Sequence, residues 1–414
     1  MTLYEDLKWR GLIKDISSDE LIDKLNNDKL TFYWGTDPTA DSLHLGHYSS
    51  LVTAKRLAKY GHQFILLVGG ATGLIGDPRP TAEREIISIE TINKNLNAIS
   101  NQVKRLVDEN TIFVNNYDWM KDYSFLNFLR DVGKYVNVNY MLAKDIISRR
   151  LDTGITYAEF SYTLMQGYDF VYLNRNYGCT LQAAGSDQWG NITTGIELGR
   201  KMDNKTLFGF TMPLILDATG KKFGKSEGNA LWLDKDKTSA YKIYQYLINS
   251  DDSKVIEYLK VFTFLSKEEI EELEAKHKEH PELREAHKAL AREIITDLHG
   301  KDEYEKAVMM SEVLFTGDFK KLDKNDLEEV LKEYNKVNIG KDKNIVDMLL
   351  EMGVASSKRE AREFISNNAI MINGEKINDL EYVISDKDFL YGSYIIVKRG
   401  KKNYYIGILE GSNE

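Results

Sequence analysis

The sequence predicts an α/β protein: a doubly wound parallel sheet, followed by a helical segment and a small α+β unit. Three observations predict it. His62 to Gly70 (HQFILLVGG) is a continuous apolar run ended by glycines, the pattern of a parallel strand buried on both faces. Other short strand candidates alternate with helical stretches, which implies helices on both faces of one sheet. From about Asp234 the chain turns helical and charged, and from residue 343 it mixes two helices with three strands.

The elements follow in order. Residues 1 to about 30 read as a helical lead-in, and Leu30 to Trp34 as a short strand. After it comes PTADSLHLGHYSSL, an irregular loop from Pro38 to Ser42 and then a helix from around Leu43, with Asp41 and Ser42 as N-cap candidates. Thr111 to Val114 is another strand candidate, and CTLQAAG is a strand that runs into SDQWGN. In a doubly wound sheet, ligands bind beyond the carboxyl ends of the strands. WGTDPTAD, GGATGLIGD and GSDQWGN each follow a strand and so belong there. KFGKS, with Lys221, Lys222 and Lys225 among Gly220, Gly224 and Gly228, reads as a mobile loop. Residues 234–317 read as a helical domain, in which Ser266 to Glu269 form a capping box. Residues 318–342 combine a short helix, Asp326 to Tyr334, with a lysine-rich linker. The last unit, 343–414, carries helices NIVDMLLEMG and SKREAREFISN and strands AIMING, YIIVKRG and YYIGIL.

Composition narrows the class. The chain has 414 residues, 42% hydrophobic and 29% charged, as in soluble globular proteins. MTLYEDLKWRG has no apolar signal region, and the apolar stretch Phe64 to Ile75 is too short and glycine-rich to span a bilayer. Cys179 is the only cysteine, which excludes an intramolecular disulfide and a cysteine metal cluster. A cytoplasmic protein fits these features. The net charge of −9 argues mildly against nucleic acid as a partner. Phosphate contacts depend on local clusters, however. Two stand out: Lys358, Arg359 and Arg362, then Lys398, Arg399, Lys401 and Lys402. The bland alternative for each is a solvated face.

The chemistry lies in two distant motifs. His44 and His47 of HLGH are three apart on one helical face, with Gly46 between them. Given 7 His and 29 Gly in 414 residues, H-x-G-H arises by chance only about 0.01 times. A helix N-terminus suits a phosphate chain, and two imidazoles there can donate to oxygens gaining charge. KFGKS adds cations on a loop that can close over a pyrophosphate leaving group. Two surface histidines and a solvated basic loop are the alternatives. Together, in this order, the motifs point to ATP.

HLGH and KFGKS resemble the HIGH and KMSKS signatures of class I aminoacyl-tRNA synthetases, at 38–47 and 222–226. YWGTDPTADSLHLGH, VGGATGLIGDP, SYTLMQGYDF and GSDQWGN resemble, in order, blocks of the bacterial tyrosyl-tRNA synthetases. The resemblance runs from about Leu3 to the C-terminus. It implies a Rossmann-like catalytic domain over 1–233, a helical anticodon-side domain over 234–317, a linker over 318–342 and a small RNA-binding domain over 343–414. That last unit is similar to one in a ribosomal small-subunit protein. The implied activity is a tyrosine–tRNA ligase that makes tyrosyl-adenylate from L-tyrosine and ATP, then charges tRNA(Tyr).

The resemblance also implies roles. Thr39, His44 and His47 would contact the ATP phosphates, and Lys222 and Lys225 would close over pyrophosphate. Gly46 would pack against adenine or ribose, Gly185 and Asp187 would hold the ribose, and Asp37 would sit near the reacting centre, unless it simply caps the turn at Pro38. Tyr33 and Asp169 would take the phenol hydroxyl, Asp77, Tyr162 and Gln166 the ammonium, and Gln188 would lie near the carboxylate. Tyr162, Gln166 and Asp169 form one helical stripe, an uncomfortable set on so apolar a helix unless they have buried partners. After Asp77 the chain departs from many relatives: Thr81 stands near an expected lysine, and Arg79 and Arg84 are the nearby cations. Trp34 is given no role. Lys358, Arg359 and Arg362 would meet tRNA. A homodimer through residues 115–150 is expected, and Mg2+ would accompany ATP without a tightly held protein metal. The rivals are a tryptophanyl-tRNA synthetase, a small nucleotidylyltransferase and a non-catalytic RNA-binding descendant. Tyr33 with Asp169, the C-terminal unit and the two intact motifs weigh against them.

Overall fold

The computed structural model describes residues 1–79, 84–226, 228–400 and 403–411. They form two compact units, Met1–Gly300 and Lys301–Glu414.

The first unit is built on a six-stranded sheet: β1 (Asp15–Ile16), β2 (Thr31–Thr36), β3 (Gln63–Val68), β4 (Ile112–Asn115), β5 (Cys179–Gly185) and β6 (Phe208–Met212). Their spatial order is β1-β6-β5-β2-β3-β4. β2 to β6 run parallel, and β1 joins β6 antiparallel. β3, β5 and β6 are buried along most of their length and β2 along half of it, and for β3 this is why the run reads as continuously apolar. From β2 the chain moves outward through β3 and β4. β5 then starts on the other side of β2, so a crevice opens between the carboxyl ends of β2 and β5. β6 (FGFTM) was not anticipated from sequence, because its glycine and short length hide the pattern.

The helix after β2 runs from Leu45 to Lys59, and its N-cap is His44, not Asp41 or Ser42. Ser42 instead donates to the Leu43 carbonyl and accepts from Gln102, while Asp41 pairs with Lys237. Both side chains are thus engaged before the helix begins. KFGKS continues into a small hairpin, β7 (Lys225–Ser226) with β8 (Asn229–Ala230).

Beyond it come helices Ala240–Ile248, Val255–Phe262, Lys267–Glu279 and Glu285–His299. Ser266 and Glu269 form the anticipated capping box. These helices belong to the same compact unit as the sheet, rather than to a body of their own. The packing explains it. Tyr48 of the HLGH helix stacks on Phe262 at 6.0 Å. The Tyr48 hydroxyl donates to Asp297, and Arg56 donates to the Thr263 carbonyl.

The second unit contains helices Lys301–Thr316, Lys324–Val330, Ile345–Glu351 and Lys358–Ser366. Its sheet comprises β9 (Lys336–Ile339), β10 (Ile370–Ile372), β11 (Glu375–Lys376), β12 (Tyr394–Arg399) and β13 (Asn403–Leu409), in the order β11-β10-β12-β13-β9. The three anticipated strands are present. The helix expected from Asp326 to Tyr334 sits earlier. The stretch expected as linker contains β9, which pairs parallel with β13 and buries Ile339 in the core of this unit. The flanking lysines had masked its alternation.

Candidate active site

A cavity of about 540 Å3 opens at the carboxyl ends of the strands. It is lined by Tyr33, Asp37, Thr39, His44, Gly46, His47, Asp77, Tyr162, Gln166, Asp169, Gly185, Asp187, Gln188, Lys222 and Lys225. Every site residue named from the first unit's sequence therefore reaches one space.

One end is acidic. Helix Tyr157–Tyr177 starts with a Thr156 capping box and presents Tyr162, Gln166 and Asp169 to the cavity. Asp169 accepts from Asn116 and from the Trp119 indole, both at 2.9 Å. Asn116 also donates to Thr72, which donates to Asp37 at 2.7 Å. Asp37 takes a second bond from the Tyr162 hydroxyl at 2.8 Å. Thus Asp37, expected near the reacting centre, is tied directly to the ammonium set, and its side chain does not cap the turn. Gln188 donates to Asp77 and Asp187 at 3.0 Å each and accepts from Gln166.

Among the described residues that line the cavity, two buried side-chain polar atoms have no protein partner, the Tyr33 hydroxyl and Gln166 Oε1. Buried polar atoms normally have partners, so each asks for one from a ligand. Burial pushes Asp169 and Asp77 up to about 7, and raises Asp37. Neighbouring carboxylates add to the effect at Asp169 and Asp77. Burial disfavours the ionised forms of all three crowded acids, and a cation placed among them would restore those forms.

The other end carries the histidines. The His44 Nδ1 accepts from the Gly46 N–H at 3.1 Å, and the His47 Nδ1 accepts from the His44 N–H at 3.3 Å. A backbone N–H can only donate, so each neutral ring must carry its proton on Nε2. The rings stack at 3.8 Å. Burial, then neighbouring cations, lowers His44 to about 4; burial and His44 lower His47 to about 3. The pair is therefore two neutral N–H donors at a helix N-terminus.

The two motifs are joined through backbone. Leu45 donates to the Leu231 carbonyl, Leu233 donates to the Leu43 carbonyl, and His44 bridges Trp232. Gly224 has φ +84°, and a Cβ there would lie 2.8 Å from the Gly46 nitrogen. The loop expected to be mobile thus has a packed stem: Phe223 is buried against Tyr246, Tyr258 and Phe262.

Sequence reading missed Thr72, Asn116, Trp119 and Tyr246. The segment NNYDWM could have been flagged, since it follows β4 at a carboxyl end. Nothing local marks Tyr246. Arg84 donates to the Asp77 carbonyl at 3.0 Å, and the Arg79 carbonyl accepts from Arg150. Both side chains line the cavity. Thr81 lies outside the described residues.

Elsewhere, Asp252, His277 and His287 converge. Arg284 donates to the Asp252 carboxylate, and the Nε2 atoms of both histidines face backbone carbonyls. A guanidinium already holds the cation position there, so the cluster braces helices.

In the second unit, Lys358, Arg359 and Arg362 sit exposed on helix Lys358–Ser366, and Lys358 pairs with Asp347 at 2.6 Å. The other basic cluster differs from its reading as a possible phosphate surface. Lys398 is buried and donates to the Phe315 carbonyl. Arg399 donates to the Val354 carbonyl and lies over the Phe364 and Tyr405 rings. Lys401 and Lys402 lie outside the described residues.

Residues 25–316 match a family model described as tRNA synthetases class I (W and Y). Residues 326–407 match one described as the tyrosine–tRNA ligase SYY-like C-terminal domain. A C-terminally truncated Aspergillus nidulans mitochondrial tyrosyl-tRNA synthetase is 33% identical, with a TM-score of 0.68, over 76% of this chain and 94% of that one. The corresponding Coccidioides posadasii structure gives 31% identity and 0.66, over 75% and 91%. A tyrosyl-tRNA synthetase complexed with L-tyrosine from Archaeoglobus fulgidus shares the fold at 16% identity and 0.56, over 74% and 99%.

Proposed function

Because the chain belongs to the tyrosyl-tRNA synthetase family of class I and is a tyrosine–tRNA ligase, we propose how its cavity carries out the two steps of that reaction. In the first, a carboxylate oxygen of L-tyrosine bonds to the α-phosphorus of ATP. The bond from that phosphorus to the bridging oxygen breaks, and pyrophosphate leaves. In the second, a ribose hydroxyl at the 3′-end of tRNA(Tyr) takes the tyrosyl group and AMP leaves. No protein nucleophile is needed, so the protein supplies position and charge stabilisation.

The phenol enters toward Tyr33 and Asp169. The orphaned Tyr33 hydroxyl donates to the phenol oxygen, and Asp169, fixed by Asn116 and Trp119, accepts the phenol proton. Phenylalanine would leave the Tyr33 hydroxyl buried and unpaired and would offer Asp169 no proton. Asp77, Tyr162 and Gln166, with Asp37 behind them, hold the ammonium, and Gln188 lies near the carboxylate. Thr39, His44 and His47 donate to the phosphates, Lys222 and Lys225 meet pyrophosphate, Gly46 packs on the adenosine, and Gly185 and Asp187 hold its ribose. The observation that carries this reading is that the acid-lined end with Tyr33 and the two-histidine end share one cavity. The test is ATP–pyrophosphate exchange with tyrosine, phenylalanine and tryptophan in parallel. Exchange with tyrosine alone is expected; exchange with tryptophan would overturn the pocket assignment.

Further parts of the reading concern setting. Mg2+ arrives with ATP as part of the substrate, since it favours phosphate oxygens and water. Lys358, Arg359 and Arg362 contact tRNA phosphates. The enzyme is of the bacterial, cytoplasmic type, read from its motif blocks; among the described residues no helix is long and apolar enough to cross a membrane. It acts as a homodimer, a reading supported by exposed Phe125 and Leu126 on helix Phe125–Asp131 and exposed Val138 on helix Val138–Leu142.

A further inference from the structure

Lys222 and Lys225 can act on pyrophosphate only if the segment between them is held at a fixed angle to HLGH. That segment is fastened at three points. The Phe223 N–H donates to the Ile215 carbonyl at 3.0 Å, which ties it to the chain that follows β6. The Gly224 carbonyl accepts from Leu231 at 2.9 Å, which ties it to the chain just after β8. The third is a side chain: the Gly224 N–H donates to the Tyr246 hydroxyl at 2.9 Å. Tyr246 stands on helix Ala240–Ile248, outside both motifs. Its ring also lies against Phe223 at 5.3 Å. On the opposite stem the Tyr258 hydroxyl donates to the Leu216 carbonyl at 3.0 Å.

We propose that Tyr246 is a positioning residue for pyrophosphate departure, holding Gly224 so that Lys222 and Lys225 face the leaving group. This rests on the assignment of the two lysines above. Gly224 is one residue from Lys225 and two from Lys222, and it packs directly on Gly46. A small rotation at Gly224 therefore moves both ammonium groups relative to the histidines. The Tyr246 ring braces Phe223, and its hydroxyl fixes the rotation. Removing only the hydroxyl keeps the brace and frees the rotation.

The experiment is single-turnover formation of tyrosyl-adenylate by the full chain, comparing wild type, Tyr246→Phe, Lys225→Ala and the double variant. Loss of one such hydrogen bond predicts about a fivefold slower step for Tyr246→Phe. Tyrosine affinity should be unchanged, because Tyr246 lies outside the tyrosine pocket, and so should the rate of transfer from preformed adenylate to tRNA, because pyrophosphate has already left. The thermal midpoint should fall by no more than a few degrees, the cost of one hydrogen bond. In the Lys225→Ala background the same substitution should cost less than it does in the wild type, the remainder being the share carried by Lys222. A fully additive pair, or a parallel fall in tyrosine affinity, would overturn the proposal. If Lys225→Ala alone leaves adenylate formation unchanged, the lysine assignment itself fails. If Lys225→Ala is slow and Tyr246→Phe is not, only the role of Tyr246 fails.

Discussion

His44 and His47 cap their own helix through Nδ1, so the bond that starts the helix also sets the tautomer of each ring. Their lowered values, about 4 and 3, keep both neutral at working pH. Ring titration followed by NMR should show neither near 6.5, where a free imidazole titrates. His47→Ala removes one donor aimed at developing charge, and activation should slow about 10²-fold. Tyrosine affinity should hold, because His47 lies at the phosphate end; a large rise in the tyrosine dissociation constant would sink this. The acids carry a second prediction. Asp77 and Asp169 sit near 7 in the ligand-free cavity, and under the proposed pocket assignment their ionised forms accept the ammonium and phenol protons. Tyrosine affinity should therefore rise from pH 5.5 to 8, with proton release on binding near pH 7, both readable by calorimetry. The stability sign runs the other way: folded carboxyl values above the unfolded ones mean the ligand-free fold holds extra protons. That contribution is present below about pH 4 and lost as pH rises through about 7. The depressed histidines oppose it between about 3 and 6.5. The residue identities of the pocket were legible in sequence, but its partners were not. Asn116 meets Asp169 across 53 positions, and no local pattern encodes such a pair.

Helix Tyr157–Tyr177 shows what an element adds. Its apolar sequence with three polar residues in one stripe was readable, and the stripe does face the cavity. Which partners complete it depends on β4, whose carboxyl end delivers Asn116 and, one turn on, Trp119. The KFGKS segment is the opposite case. Glycines and lysines suggested an open loop, yet Phe223 is buried in an aromatic box drawn from two later helices. A single aromatic residue outweighed the local composition because its burial is worth roughly 2–3 kcal/mol. The short helices between Phe125 and Leu142 leave Phe125, Leu126, Val138 and Tyr140 exposed. If this face joins two copies, Phe125→Asp with Leu126→Asp should halve the mass seen by light scattering without lowering the helical signal. An unchanged mass would remove this face from the interface.

At the scale of the molecule, the chain divides after Gly300, not at the change of composition near Asp234. A protein ending at Gly300 should still exchange pyrophosphate with tyrosine, within about threefold of the full chain, while charging of tRNA(Tyr) falls by at least 10²-fold, since phosphate contacts dominate such affinities. Equal loss of both steps would contradict the assignment of the second unit to tRNA. By itself the sequence determined most of the strand and helix types, the HLGH and KFGKS motifs and the side chains that meet in the cavity. Those follow from local periodicity, from turn chemistry and from motif blocks that resemble a family. Only the tertiary structure decided where helices 240–299 pack, that the linker contains β9, that Lys398 is buried, that the histidines are neutral donors and that Tyr246 reaches Gly224. Each of these depends on burial or on contacts between residues distant in the chain. Desolvation and long-range hydrogen bonds are properties of the packed molecule, and no window of sequence contains them.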